Sequence, residues 1–246
     1  MGSLPHARIG EQHAERRQLT VMFVDIVGST PLSERIDPEE FFSVVSTYRD
    51  ICYRQISRFG GQIARLIGDG LLAYFGVPQA HEDDPERAVR ASLAIATAIK
   101  EQKFPIAGDT FVRLSVRIGL NTGVVVVGSV PGEPAERREV FGSSVHIAAR
   151  LQEFAGENGV VVGPGTYQLI GGRFSCVPLG KLPLKGVKQA VEAWRVEAIA
   201  VGESRFDRRR ASPLPPGDRS NRRKRDASRN VAANCRRLRM RRRHLR

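Results

Sequence analysis

The chain has 246 residues and a hydrophobic fraction of 41%, enough for a buried core in one large domain or two small ones. Its net charge of +13 comes from residues 203–246, which carry 17 basic and 4 acidic residues, so residues 1–202 are formally neutral. No apolar run could span a bilayer, no secretory leader opens the chain, and three scattered cysteines fit neither a disulfide framework nor a metal-ligand spacing. We therefore expect a cytoplasmic protein with no membrane span and no specific binding of nucleic acid.

The first predicted element is a buried strand over residues 19–27, preceded by a polar, flexible segment over residues 1–16. The strand is rich in β-branched residues, carries Asp25 near its end and breaks at Gly28. The Gly-Ser-Thr sequence that follows is typical of a turn. Taken alone, Asp25 is as consistent with a structural acid at a strand end as with a ligand.

A second acid occupies a similar position after a long amphipathic helix. The helix is predicted to begin with Asp37 as its capping residue, proline at its first position and glutamate at its third. It is predicted to end at Gly60. A hairpin over residues 62–77 then carries Asp69 between two glycines at its tip. Two carboxylates at the ends of adjacent strands can hold divalent cations, and paired cations suit displacement at phosphorus. The combination therefore favours a ligand role for Asp25.

A second helix is predicted from Asp84, which is again followed by proline. The run His-Glu-Asp-Asp over residues 81–84 has two interpretations, a metal cluster or a solvated helix start favoured by the helix dipole. Four consecutive loop residues before a helix favour the second interpretation.

The second half of the chain is rich in short strands. Apolar residues alternate over residues 112–121, which predicts a half-buried strand, and Asn-Thr-Gly over residues 121–123 predicts a turn to an antiparallel partner at 124–127. A helix capped by Ser143 or Ser144 should follow and run to about residue 154. The remaining elements are a strand, a helix and two strands, over residues 159–163, 165–170, 174–179 and 190–199.

The order of these elements predicts the fold class. Over residues 19–130 it is β-α-β-β-α-β-β, which suits an α+β, ferredoxin-like βαββαβ-type sandwich with a mainly antiparallel sheet and helices on one face. The arginine-rich residues 201–246 have almost no periodic apolar positions and predict a disordered tail. That tail is either a basic arm for nonspecific binding of nucleic acid or anionic membrane, or a segment with no selected function, which we favour.

Four segments together resemble the class III nucleotidyl cyclase catalytic domain of the bacterial type: residues 17–30, 68–76, 117–128 and 142–150. The second segment is Gly-Asp-Gly-Leu-Leu-Ala-Tyr-Phe-Gly. A further run outside the four segments, His-Glu-Asp-Asp-Pro-Glu-Arg-Ala-Val-Arg at residues 81–90, also matches the family. The resemblance covers roughly residues 15–200, so we assign the catalytic domain to residues 17–200. It implies a head-to-tail homodimer with two sites at the interface.

The resemblance assigns the metal half of each site to one chain. Asp25 and Asp69 match the two metal-binding aspartates, which hold two Mg²⁺ or Mn²⁺ ions beside the Ile26 carbonyl. The substrate's triphosphate is implied to lie along the following turn, against Gly28, Ser29 and Thr30. In such enzymes the ribose 3′-hydroxyl attacks the α-phosphorus in line and pyrophosphate leaves.

The partner chain supplies purine recognition and transition-state contacts in the same family. Arg65 and Glu139 stand where adenine-selecting members have Lys and Asp, which keeps the sign of both charges, although the two could instead pair with each other. His146 replaces the family's ribose-orienting Asn, and Arg150 matches the arginine that stabilises the α-phosphate. Lys185 resembles the late basic triphosphate contact, a position for which its neighbours at 181 and 188 compete.

The sequence thus predicts an adenylate cyclase that converts ATP, in preference to GTP, into 3′,5′-cyclic AMP and pyrophosphate for signal transduction. The alternative is a catalytically weak or degenerate cyclase domain that binds nucleotide or acts as a regulatory dimerisation module. The replacement of the family Asn by His146 motivates this alternative, because imidazole is bulkier and donates fewer hydrogen bonds when neutral.

Overall fold

A computed structural model describes residues 14–129 and 138–200 of the chain. Its strands are β1 (Glu15–Ile26), β2 (Gln62–Ile67), β3 (Gly70–Phe75), β4 (Phe104–Ile106), β5 (Thr110–Val112), β6 (Val116–Ser129), β7 (Arg138–Phe141), β8 (Gly159–Val162), β9 (Phe174–Leu182) and β10 (Val191–Ile199). Its helices are α1 (Ser29–Ser33), α2 (Pro38–Arg58), α3 (Asp84–Glu101), α4 (Ser143–Leu151), which continues into a 3-10 turn, and α5 (Pro164–Ile170). No helix in these two ranges is long and apolar enough to cross a membrane.

One eight-stranded sheet forms the centre of the fold, in the order β2-β3-β1-β6-β8-β10-β9 with β7 paired to the end of β6. Strands β6 and β8 run parallel, and the other neighbouring pairs are antiparallel. The two longest strands, β1 and β6, pair along the whole of β1, from Glu15 opposite Val127 to Ile26 opposite Val116. The end of β1 therefore lies at the middle of the sheet, where side chains from several strands can meet.

Helices cover both faces of the sheet. Alternate residues of β1, such as Met22 and Val24, pack with α2, α3 and α5 in the largest hydrophobic core. The intervening residues, such as Leu19 and Val21, pack on the other face with Ala148 of α4. The predicted α+β fold with a mainly antiparallel sheet is confirmed. The expected placement of helices on one face holds for α2, α3 and α5 but not for α4.

The predicted turn over residues 121–123 is wrong, because these residues lie inside the uninterrupted strand β6. Thr122 is buried and its hydroxyl forms hydrogen bonds with those of Thr20 and Thr166, at 2.8 and 2.9 Å. A Cβ on Gly123 would collide with the Ser144 hydroxyl, so the glycine is there to let α4 approach the sheet. Tertiary contacts thus account for Thr122 and Gly123, two of the three residues that suggested a turn.

Three smaller expectations also change. Strand β1 begins at Glu15, inside the segment predicted to be flexible, because the long β6 offers it a partner there. The Gly-Ser-Thr turn is the start of the short helix α1, with Gly28 as its N-cap at φ 70°. Helix α4 has Gly142 at its N-cap with no side-chain cap, so neither Ser143 nor Ser144 caps it. Most of the predicted flexible segment and the whole of the predicted tail lie outside the described residues.

Candidate active site

Asp25 and Asp69 are brought together by the pairing of β1 with β3. Val24 pairs with Leu71, while Gly68 and Asp69 form the two-residue turn that joins β2 to β3. Gly68 has φ 61°, a left-handed conformation that favours glycine. On the other side of Asp69, a Cβ on Gly70 would lie 3.3 Å from Asp25 Oδ1. The two glycines thus let the turn form and let it approach the first carboxylate closely.

One carboxylate oxygen of the acidic pair lacks a hydrogen-bond donor among the described residues. Burial, and then the charge of Asp69, raise the pKa of Asp25, although Arg117 opposes this by donating a hydrogen bond to Asp25 Oδ2 at 2.9 Å. Asp69 Oδ2 is buried and has no hydrogen-bond partner among the described residues. A buried carboxylate oxygen without a donor is unfavourable unless a cation or another donor satisfies it.

This arrangement fits a divalent cation. Both groups are hard oxygen ligands, they repel each other, and one oxygen lacks a partner. No group of three or more His, Cys, Asp or Glu side chains that could hold a metal occurs within the described residues, so further ligands would come from backbone, water or substrate. Ile26 ends β1 next to Asp25, and the chain then turns through Gly28 into α1, which begins with Ser29 and Thr30.

A groove of about 290 Å³ holds three of the other predicted site residues, Arg65, Glu139 and His146. Arg65 donates a hydrogen bond to Glu139 Oε1 in an ion pair between β2 and β7, which is the mutual pairing left open by the sequence. Tyr74 also lines this groove, and its burial raises its pKa to about 12. The phenol is therefore neutral at physiological pH.

Arg150 and Lys185 do not line this groove. Arg150, in the last turn of α4, forms an ion pair with Glu153 at 2.7 Å. Lys185 is exposed in the turn between β9 and β10. Asp25 lies opposite Arg117, which pairs with the start of β8, whereas β10 begins beyond the end of β8. Lys185 is therefore at the other end of the sheet from Asp25.

The structure thus forms two clusters within one chain, the acidic pair and the groove, with no hydrogen bond or ion pair between them in the part of the chain that it describes. It also adds residues that the sequence reading missed. Arg117 contacts Asp25 across neighbouring strands although 92 residues separate them. Arg49 of α2 donates a hydrogen bond to the Gly68 carbonyl at 2.6 Å. The periodicity of β6 could have placed Arg117 on a polar face, but not beside Asp25.

An α+β domain with two acids meeting at the ends of central strands is suited to binding a divalent cation and, through it, a phosphate ester. Comparison with known proteins identifies the family within this class. Residues 11–198 match the adenylate and guanylate cyclase catalytic domain, and the chain belongs to that family.

Curated proteins that are similar to the chain include an adenylate cyclase. An uncharacterized protein of Rhizobium meliloti (strain 1021) is 32% identical over 78% of the chain, and adenylate cyclase 1 of the same strain is 27% identical over 77%. The matched segments cover 18% and 29% of those two proteins, so the chain spans less than a third of either relative.

Solved structures confirm the fold. The guanylate cyclase domain of RhGC from Catenaria anguillulae, crystallised in complex with GTP, is 28% identical with a TM-score of 0.69 and is covered completely by 76% of this chain. The adenylyl cyclase CyaB from P. aeruginosa is 25% identical with a TM-score of 0.68, over 78% of this chain and 99% of that one. Relatives of this fold therefore include both adenylate and guanylate cyclases.

Proposed function

We propose that this domain is an adenylate cyclase, which converts ATP to 3′,5′-cyclic AMP and pyrophosphate at a homodimer interface. The observation that carries the proposal is the acidic pair, in which Asp69 Oδ2 is buried without a partner beside a second carboxylate of raised pKa. Such a pair is unfavourable by itself and becomes favourable around cations. The family to which the chain belongs supports nucleotide cyclisation as the reaction.

In the proposed reaction the ribose 3′-oxygen attacks the α-phosphorus, the bond to the β-phosphate oxygen breaks, and pyrophosphate leaves. Asp25 and Asp69 would hold two Mg²⁺ or Mn²⁺ ions, beside the Ile26 carbonyl. When bound, the ions supply Lewis acidity that lowers the pKa of the hydroxyl and neutralises the leaving group. The Arg117 guanidinium keeps the Asp25 carboxylate oriented, since it already donates to Oδ2.

Residues of the second chain complete the proposed site. Arg150 would stabilise the charge that develops on the α-phosphate, after it releases Glu153. His146 of the second chain would orient the ribose and Lys185 would contact the triphosphate. The start of α1 of the first chain would lie along the same triphosphate through Gly28, Ser29 and Thr30.

Preference for adenine is proposed because Arg65 and Glu139 keep the charge signs of the adenine-selecting pair. In the proposed site the Glu139 carboxylate would accept a hydrogen bond from the adenine amino group, and Arg65 would donate to a ring nitrogen. Their ion pair must open for this, so substrate competes with an internal contact.

The test is an assay of the purified chain with ATP or GTP and Mn²⁺, with separation of the cyclic nucleotide from the substrate by chromatography. We expect cyclic AMP as the main product and a rate at least about a hundredfold lower in Asp69→Asn, because that change removes one carboxylate ligand. Asp50→Asn, at an exposed carboxylate on α2, is the matched control and should retain full activity. Absence of any cyclic nucleotide at high protein concentration would refute the proposal.

A second candidate function is a nucleotide-binding or regulatory module without turnover, which His146 and the closed Arg65–Glu139 pair favour. Isothermal titration with ATP and Mn²⁺ separates the two functions. Tight, metal-dependent binding without product, together with recovery of activity in His146→Asn, would establish the module. Activity of the unaltered chain that His146→Asn raises about tenfold or less would favour the enzyme, because the imidazole then substitutes adequately for the amide.

A further inference from the structure

The turn that carries Asp69 is tied to one helix, α2, through Arg49. We propose that Arg49 positions the metal-binding turn by fixing the backbone of Gly68. The inference deepens the proposed function, on which it rests for the identity of the bound cations. Arg49 is a positioning residue, since it is assigned no contact with substrate.

Arg49 acts on the turn directly. Its Nη2 donates a 2.6 Å hydrogen bond to the carbonyl of Gly68, the residue that immediately precedes Asp69. Gly68 is left-handed at φ 61°, and a Cβ there would meet nothing within 4 Å, so no neighbouring group packs at its side-chain position. A hydrogen bond from a charged donor is stronger than one from a neutral donor. Arg49 therefore restrains the turn at Gly68, where side-chain packing does not.

The helix that carries Arg49 is rigid enough for this role. It runs for 21 residues, and its start is fixed by a capping box in which the Glu40 side chain accepts a hydrogen bond from the Asp37 backbone at 3.2 Å. Six of its residues are buried: Val44, Val45, Tyr48, Ile51, Cys52 and Ile56. Metal ligands bind tightly only when neighbouring groups hold them in orientation. The hydrogen bond from Arg49 thus ties the Gly68 backbone to a helix anchored in the core.

Arg49→Ala and Arg49→Lys test this role, with Arg54→Ala as the matched control. Arg54 lies on the same helix, but its Nε donates to the Asp50 carbonyl of that helix, at 3.3 Å. Hydrogen–deuterium exchange of metal-free protein should be faster in peptides covering residues 66–71 for Arg49→Ala, unchanged for Arg54→Ala, and partly restored by Arg49→Lys. The half-saturating Mn²⁺ concentration, measured by electron paramagnetic resonance without turnover, should rise about tenfold in Arg49→Ala.

Exchange over residues 66–71 that is unaltered in Arg49→Ala, or altered equally in Arg54→Ala, overturns the role of Arg49. A half-saturating Mn²⁺ concentration that Arg49→Ala leaves unchanged would likewise contradict that role. If the chain makes no cyclic nucleotide, the proposed function fails, whereas the exchange and Mn²⁺ results still decide this inference.

Discussion

At the scale of single residues, ionisation of the Asp25 carboxylate is unfavourable in the metal-free protein. Its pKa is raised from the usual value of 3.8 by burial and by Asp69, against the opposing effect of Arg117. The folded protein therefore binds the Asp25 proton more tightly than the unfolded chain does. This contribution to stability is complete below pH 3.8 and is lost as the pH rises through the raised pKa, so at pH 7 the ionised group destabilises the fold.

We therefore expect Asp25→Asn to melt at a higher temperature than the unaltered protein at pH 7 in a chelating buffer. The advantage should disappear near pH 3.5, an acidity at about which the carboxyl is protonated in both folded and unfolded states. Added Mn²⁺ should stabilise the unaltered protein and not the variant, because ligands that bind the native state raise its stability. Calorimetry at the two pH values is the measurement. A variant that melts at a lower temperature at pH 7 without metal would contradict this account of Asp25.

The ion pair between Arg65 and Glu139 should matter for substrate choice more than for folding. Their side chains are 51% and 31% exposed, and ion pairs of that exposure contribute at most about 1 kcal/mol. Glu139→Gln should thus change the free energy of unfolding by less than about 1 kcal/mol, since it removes only that contribution. The ratio of kcat/KM for ATP to that for GTP should change by about tenfold or more, because Gln offers the purine both a donor and an acceptor. An unchanged ratio would remove Glu139 from the proposed base site.

At the scale of elements, the sequence predicted the features that depend on residues close together in the chain. The start of α2 at Pro38 and the hairpin tip at Asp69 follow from proline, capping and glycine positions, and the structure has both. Strand β6 could not be predicted in the same way. Its Asn-Thr-Gly run has the composition of a turn, and only the approach of α4 at Gly123 and the threonine hydrogen bonds at Thr122 explain why it is a strand.

The same distinction applies to the site. Asp25 and Asp69 could be found in the sequence because each stands where an element ends, and because two such acids suggest one function. Arg117 could not be found, since its contact with Asp25 depends on the register between β1 and β6. The pairing of Arg65 with Glu139 was an open alternative in the sequence, and the structure contains it.

The contact between α4 and the sheet can be tested at Gly119. A Cβ there would overlap the backbone of Ala148 and Gln152, at the end of the helix that carries His146. Gly119→Ala should destabilise the fold by roughly 1–3 kcal/mol, because backbone on both sides leaves no flexible group to move away. Gly128→Ala, on the same strand with nothing within 4 Å of its Cβ, is the control. Urea unfolding of both variants is the measurement, and equal stability of the two would contradict this packing.

At the scale of the whole molecule, one chain does not bring all the proposed site residues together. Lys185 lies at the other end of the sheet from Asp25, and the acidic pair and the groove share no hydrogen bond or ion pair within the described ranges. In the proposed head-to-tail homodimer, each chain would meet the complementary half of its partner.

The most direct test of this account is complementation between two inactive variants. Asp25→Asn removes a ligand from the metal half of the site, and Arg150→Ala removes the proposed transition-state contact from the other half. Each variant alone should be inactive. Equal amounts, unfolded and refolded together, should recover about a quarter of the unaltered rate, because half the dimers are mixed and each has one intact site of two. A refolded mixture no more active than either variant alone would contradict a site shared between two chains.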